Sequence, residues 1–140
     1  MKFRRTSRDE ISKLVTTART YSHDARVESV SLGTRFQMAY ESARMWCEIV
    51  VRAEGQRLTS RTGHHEKVIQ SLTTYVGTDM EDLVTCLGRA RKTRHRIMYE
   101  GAIHEVTPDD VADLLNVLDE LEERVTEWLK GNHPDLLPLL

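Results

Sequence analysis

Cysteine is scarce in this chain: Cys47 and Cys86 are the only two in 140 residues. Both fall on apolar helical faces, so buried free thiols are expected, not a disulfide scaffold or a metal site. No apolar run is long enough to span a bilayer. Lys2, Arg4 and Arg5 are not followed by the apolar stretch of a signal peptide. No membrane association is expected, and a cytoplasmic location is the default. Charge of one sign is also lacking. The formal net charge is -2, which excludes a globally basic nucleic-acid binder and confines any such contact to a local patch. Nothing alternates with period two over a useful length, and there are no internal repeats or low-complexity segments. A Gly-rich phosphate loop, a Ser or Cys nucleophile motif and a paired-carboxylate signature are all missing. No cofactor and no metal is expected.

What is present is helical periodicity. A chain of 140 residues suits one domain, residues 1–140, with a real core. Ser7 and Glu10 form a capping box before a first helix, Arg8 to His23, striped by Ile11, Leu14, Val15 and Ala18. Ser31 or Ser29 caps a second helix, Leu32 to Arg57. Its stripe of Leu32, Phe36, Ala39, Tyr40, Ala43, Trp46, Cys47 and Val50 marks the central core helix. On its polar side Arg44 and Glu48 are spaced to pair. A polar turn, Leu58 to Gly63, leads to a short third helix, His64 to Val76, with Val68, Ile69, Leu72 and Tyr75 inward. Thr107, Pro108, Asp109 and Asp110 are a strong start signal: an N-cap, a proline at N1 and acids in the first turn. The fifth helix then reaches Lys130 on a seam of Val111, Leu114, Leu118, Leu121, Val125 and Trp128. Gly131 to Pro134 ends it, and a leucine-rich tail, 131–140, is expected to dock on the domain or on a second chain. The fold class is all-α, an up-and-down bundle of four main helices plus a short fifth.

The fourth helix, Glu81 to Gly101, organises the rest. Thr78 is a good N-cap, and Glu81 completes a capping box. Leu83, Val84, Cys86, Leu87, Ala90, Ile97 and Met98 share one face, while Asp82, Thr85, Arg89, Lys92 and Arg96 lie opposite. Arg94 breaks the pattern, because it falls inside the apolar arc. A guanidinium there needs a partner, a ligand or a wet interface. Arg91, His95 and Tyr99 form a second stripe at the edge of the arc. Arg94, His95 and Tyr99 are therefore expected on a buried or half-buried seam.

Other candidates carry less. Adjacent His64 and His65 point about 100° apart on a helix and lack metal-ligand spacing, so they read as a surface helix start. His104 reads as surface or interface. The basic cluster Arg89, Arg91, Lys92, Arg94 and Arg96 can bind phosphates, with affinity falling as salt rises. A solvated helix face accounts for Arg89, Lys92 and Arg96, but not for Arg94.

Arg94-His95-Arg96-Ile97-Met98-Tyr99, late in a long helix of a small α-bundle, resembles the HEPN (higher eukaryotes and prokaryotes nucleotide-binding) domains. Their motif is an Arg, four to six residues, then a His, and the residue after the Arg is often Asn, Asp or His. Arg94 and His95 fit, but the expected His position holds Tyr99. Arg89 to His95 is a second register, in which Ala90 would follow the Arg. The resemblance covers helix order from Ser7 to Lys130. It implies a homodimer whose paired motifs form one composite cleft. It also implies RNA as ligand and a metal-independent endoribonuclease of toxin–antitoxin or phage-defence type, with a cognate antitoxin or nucleotidyltransferase as partner.

Two readings stay open. In one, Arg94 clamps the phosphate, His95 handles the proton, Tyr99 orients the substrate, and Arg91, with Arg89, Lys92 and Arg96, adds charge. An imidazole exchanges protons near neutrality, whereas a phenol donates a hydrogen bond but is a poor base there. In the other, the chain is a non-catalytic HEPN-like structural or regulatory interaction module, and Arg94 is bonded to a carboxylate or to backbone carbonyls.

Overall fold

The computed structural model describes residues 2–3, 5–57 and 63–137. The fold is all-α: four long helices and a short one in bundle-like packing. The long ones are α1 (Arg8–Ala25), α2 (Leu32–Ala53), α4 (Glu81–Tyr99) and α5 (Pro108–Asn132), and the short one is α3 (His64–Ser71). Helix α2 is buried around most of its circumference, which makes it the axis of the bundle. The other four helices all pack on it. Its buried Phe36, Tyr40, Trp46 and Ile49 join Ile11, Leu72, Met80, Leu87, Leu118 and Leu121 in one core cluster. Each such Leu or Ile contributes roughly 1.5–3 kcal/mol by leaving water.

Helix starts follow the expected chemistry unevenly. Thr107 caps α5 with a complete capping box: its side chain accepts from the Asp110 amide, and the Asp110 carboxylate accepts from the Thr107 amide. At α1 only half of the box forms. Ser7 accepts from the Glu10 amide, but the Glu10 carboxylate binds Arg52 and Arg57 instead. Charge-assisted bonds to two guanidiniums outweigh one bond to a backbone amide. The Thr78 box does not cap α4. Thr78–Met80 forms a 3-10 turn that places Met80 at the cap position, with no side-chain cap bond.

Two helix ends also differ from expectation. Helix α2 stops at Ala53, not Arg57, because Gly55 takes a positive φ of 73° and reverses the chain. Gln56–Arg57 then forms a two-residue strand, β2, paired antiparallel with β1 (Lys2–Phe3). Helix α3 relaxes after Ser71 into a π-helical turn, Leu72–Val76, closed by a bond from the Gly77 amide to the Leu72 carbonyl. The indole of Trp128 on α5 donates to the Tyr75 carbonyl at 3.1 Å and ties that turn to the bundle. Helix α5 runs two residues past Lys130, to Asn132. Beyond it Leu136 is buried and Leu137 packs against the core, so this part of the tail docks on its own chain. Leu139 and Leu140, and Leu58 to Thr62 of the expected turn, lie outside the described residues. Among the described residues no helix is long and apolar enough to cross a membrane.

The α1–α2 hairpin is closed at both ends. At its tip Arg35 donates to the Ala25 carbonyl at 2.9 Å. Midway, the buried Ser42 hydroxyl donates to the Ala18 carbonyl at 2.6 Å. At its base the Glu10 carboxylate joins Arg52 (2.6 Å) to Arg57 (2.7 Å).

Candidate functional site

Helix α4 turns its apolar face inward as its periodicity requires. Leu83, Val84, Leu87, Ala90 and Ile97 are buried, while Cys86 is only half-buried. Asp82, Thr85, Arg89, Lys92 and Arg96 are exposed. In the last turn only Ile97 reaches the core, while Met98 is 48% exposed and Tyr99 71% exposed. His95 is exposed as well. The expected seam therefore divides. Arg94 is half-buried and faces α2, whereas His95 and Tyr99 stand in solvent with their rings 4.7 Å apart.

Arg94 finds its partner on α2. Its Nη2 lies 3.5 Å from Glu41 Oε1, and its guanidinium sits 5.6 Å from the centroid of the Tyr40 ring. The remaining cations separate. Arg96 pairs with Glu105 at 2.7 Å on the surface. Arg89, Arg91 and Lys92 line a groove of about 350 Å³ between α3 and α4, floored by Ile69, Val84 and Gly88. His104 is exposed in a 3-10 turn.

The structure adds a polar network that sequence reasoning missed. Arg44 does not pair with Glu48. It reaches back to Glu41 Oε2 with Nε (3.2 Å) and Nη2 (2.9 Å). Glu48, 6% exposed, takes Arg52 Nε at 2.9 Å. Its other oxygen faces His64 Nε2 at 3.6 Å. His64 and His65 are not a simple surface start, because both fold back over α2. The His65 Nδ1 lies 3.0 Å from the Tyr40 hydroxyl, and the two rings stack 5.8 Å apart. One signal could have exposed this network. Glu41, Arg44, Glu48 and Arg52 recur every three or four residues on the mostly apolar C-terminal two-thirds of α2, so their stripe must be half-buried and internally paired.

The electrostatics follow from that burial. Desolvation pushes the Tyr40 phenol up to about 12, although Arg94 pulls the other way. His65 is lowered to about 4, by burial first and then by Arg44 and Arg94. It is therefore a neutral imidazole at pH 7. Burial, aided by Glu48, pushes the Cys47 thiol up to about 12 and leaves it an inert free thiol.

The chain thus carries two features that meet on α4: an exposed ring pair, His95 and Tyr99, and a half-buried guanidinium cluster that joins Arg94 to Glu41 and Arg44 of α2. Among the described residues no group of three or more His, Cys, Asp or Glu side chains is placed to hold a metal ion. Comparison of the chain with protein-family models, with curated proteins and with solved structures finds no match.

Proposed function

We propose that this chain is a HEPN-like RNA-binding protein that works as a homodimer through the end of α4, and that it cleaves RNA without a metal. One observation carries the reading: Tyr99, 71% exposed, sets its ring at 44° to that of His95 with the centroids 4.7 Å apart, on the same helix as the exposed or half-exposed cations Arg91, Lys92 and Arg96. Unstacked RNA bases bind aromatic rings, and the phosphates beside them bind cations. Met98 beside Tyr99 adds an exposed apolar contact suited to a second copy. In that composite cleft Arg94 supplies positive charge to the pentacoordinate phosphorus. His95 moves the proton between the 2′-OH and the leaving oxygen, and Tyr99 orients the base.

The second reading, a non-catalytic interaction module, is favoured by a different observation. Glu41 already supplies Arg94 with a carboxylate inside the chain, so the guanidinium has a structural role without RNA.

The test is RNA binding and cleavage by the purified protein in EDTA, at low and high salt. The expected result is binding that weakens steeply with salt, loss of affinity in Tyr99→Ala, and cleavage lost in Arg94→Ala. Binding without cleavage, across several RNAs and pH values, selects the module reading. A wild-type protein that binds no RNA even at low salt overturns the RNA assignment.

A further inference from the structure

We propose that Arg44, Arg94 and His65 form a phosphate subsite where α2, α3 and α4 meet, and that it takes one phosphodiester of the bound RNA. The RNA half of this inference rests on the function proposed above. The subsite itself rests on the geometry of the three side chains.

Three elements deliver them to one place. Helix α2 supplies Tyr40, Glu41 and Arg44, the first turn of α3 supplies His65, and α4 supplies Arg94. Arg44 holds Glu41 Oε2, and Arg94 lies beside Glu41 Oε1. One carboxylate thus anchors two guanidiniums from different helices. With His65 neutral, the cluster keeps one uncompensated positive charge. The three charged side chains are each about one-fifth to one-quarter exposed (Glu41 19%, Arg44 20%, Arg94 24%), so an ion can reach them while much of the water is excluded.

The donor inventory points the same way. Arg44 spends two of its five N–H donors on Glu41. Arg94 makes an ion pair with Glu41 but no hydrogen bond among the described residues. Tyr40 is buried and stays a protonated phenol, with its hydroxyl 3.0 Å from His65 Nδ1. When the hydroxyl is the donor in that bond, the imidazole proton is on Nε2. His65 then presents an N–H beside two guanidiniums with spare donors. A cluster of donors with one surplus positive charge matches a phosphate oxyanion, and planar guanidiniums bind it with paired bonds. Glu41 holds the Arg44 fork and draws Arg94 beside it before the ligand arrives, which lowers the ordering cost of binding.

The groups facing His65 are Tyr40, Glu41 and Arg44 on α2, His64 on α3 and Arg94 on α4. The two arginines and burial hold the imidazole neutral. A bound phosphate adds negative charge to this set, so occupancy must favour the imidazolium.

The experiment is a titration of the full chain with inorganic phosphate, at constant ionic strength with chloride as control. It is followed by NMR of the histidine ring nitrogens over pH 3.5–8. Saturable shifts of the His65 signals are expected, with its titration midpoint rising by about one unit or more. Arg44→Gln removes the response, whereas Glu41→Gln keeps a hydrogen-bonding anchor for Arg44 but drops the competing negative charge, so it tightens phosphate binding. His65 signals in the wild type that do not respond to phosphate overturn the subsite, whatever the variants do. A parallel RNA-binding assay separates the two claims. Arg44→Gln is expected to weaken RNA binding about tenfold and to reduce the salt slope by about one. Unchanged RNA affinity in a folded Arg44→Gln overturns RNA as the occupant. Failure of the wild type to bind RNA, with His65 still answering phosphate, sinks the function proposed above and leaves the anion subsite standing.

Discussion

Replacing Gly33 and Gly88 by alanine, each alone, tests the packing argument with one chemical change of opposite predicted sign. Both glycines lie in helices, where alanine is the better helix former by about 0.5–1 kcal/mol. At Gly88, inside α4, an added Cβ would meet nothing within 4 Å beyond its chain neighbours and the backbone of its own helix. Gly88→Ala therefore keeps the propensity gain and is expected to stabilise by about 0.5–1 kcal/mol. Gly33, in the first turn of α2, is buried against the 3-10 turn Ala102–Glu105. A Cβ there would lie 2.3 Å from Ile103 Cγ1 and 2.6 Å from the Ile103 carbonyl oxygen. The side chain can rotate away, but the carbonyl cannot yield without shifting its turn. Overpacking of this kind costs about 1–3 kcal/mol, which exceeds the propensity gain and leaves a net loss of about 1–2 kcal/mol. For a chain of this size that is a fall in Tm of roughly 3–8 °C, against a rise of roughly 2–4 °C for Gly88→Ala. Thermal denaturation followed by circular dichroism reads both. If Gly33→Ala melts at or above the wild type, the close approach of α2 to Ile103 is wrong.

Three further predictions follow from the same structure. Thr107→Ala removes the side-chain half of the α5 capping box and is expected to cost about 1 kcal/mol in urea denaturation; an unchanged midpoint would count against the cap. Leu121→Ala empties a fully buried core position and is expected to cost about 2–5 kcal/mol in the same assay, whereas a loss below 1 kcal/mol would place Leu121 outside the core. The third concerns pH. His65 binds its proton less readily folded than unfolded, so between about pH 6.5 and pH 4 the unfolded chain holds more protons and stability falls with falling pH. Solvent screening trims this to on the order of 2 kcal/mol. Stability measured from pH 7 to pH 4 should lose that component in His65→Phe, and an unaltered pH slope would refute it.

Much of the bundle was legible because local rules and burial agree. The seam of α5 and its Thr107 start are written in adjacent residues, and the inward face of α4 follows from its periodicity. Arg94 was legible as an anomaly. Its partner was not, because Glu41 belongs to a distant helix and looks like an ordinary surface acid in its own window. The same holds for His65, whose neighbours Tyr40 and Arg44 arrive only through packing. The burial expected at His95 and Tyr99 failed for another reason: both lie on the stripe at the edge of the arc, and periodicity states the centre of the inward face but not how wide the buried band is, so Ile97 reaches the core while they do not. The end of α2 was lost because Val51 and Ala53 continue an apolar pattern right up to the turn at Gly55.

The closed α1–α2 hairpin has a consequence for how the molecule yields. Cross-ties at its tip, middle and base leave that pair of helices no cheap way to open, so its amides should exchange with solvent only in global unfolding. Helices α3 and α4 are built differently, with a groove between them, a π-helical relaxation at one end and a glycine at the groove floor. They are expected to be the more compliant part of the molecule, and both candidate sites draw residues from them. A ligand that bridges α2 to α4 would stiffen the soft half against the hard one. Its binding would then register as slowed amide exchange in α3 and α4, far beyond the residues it touches.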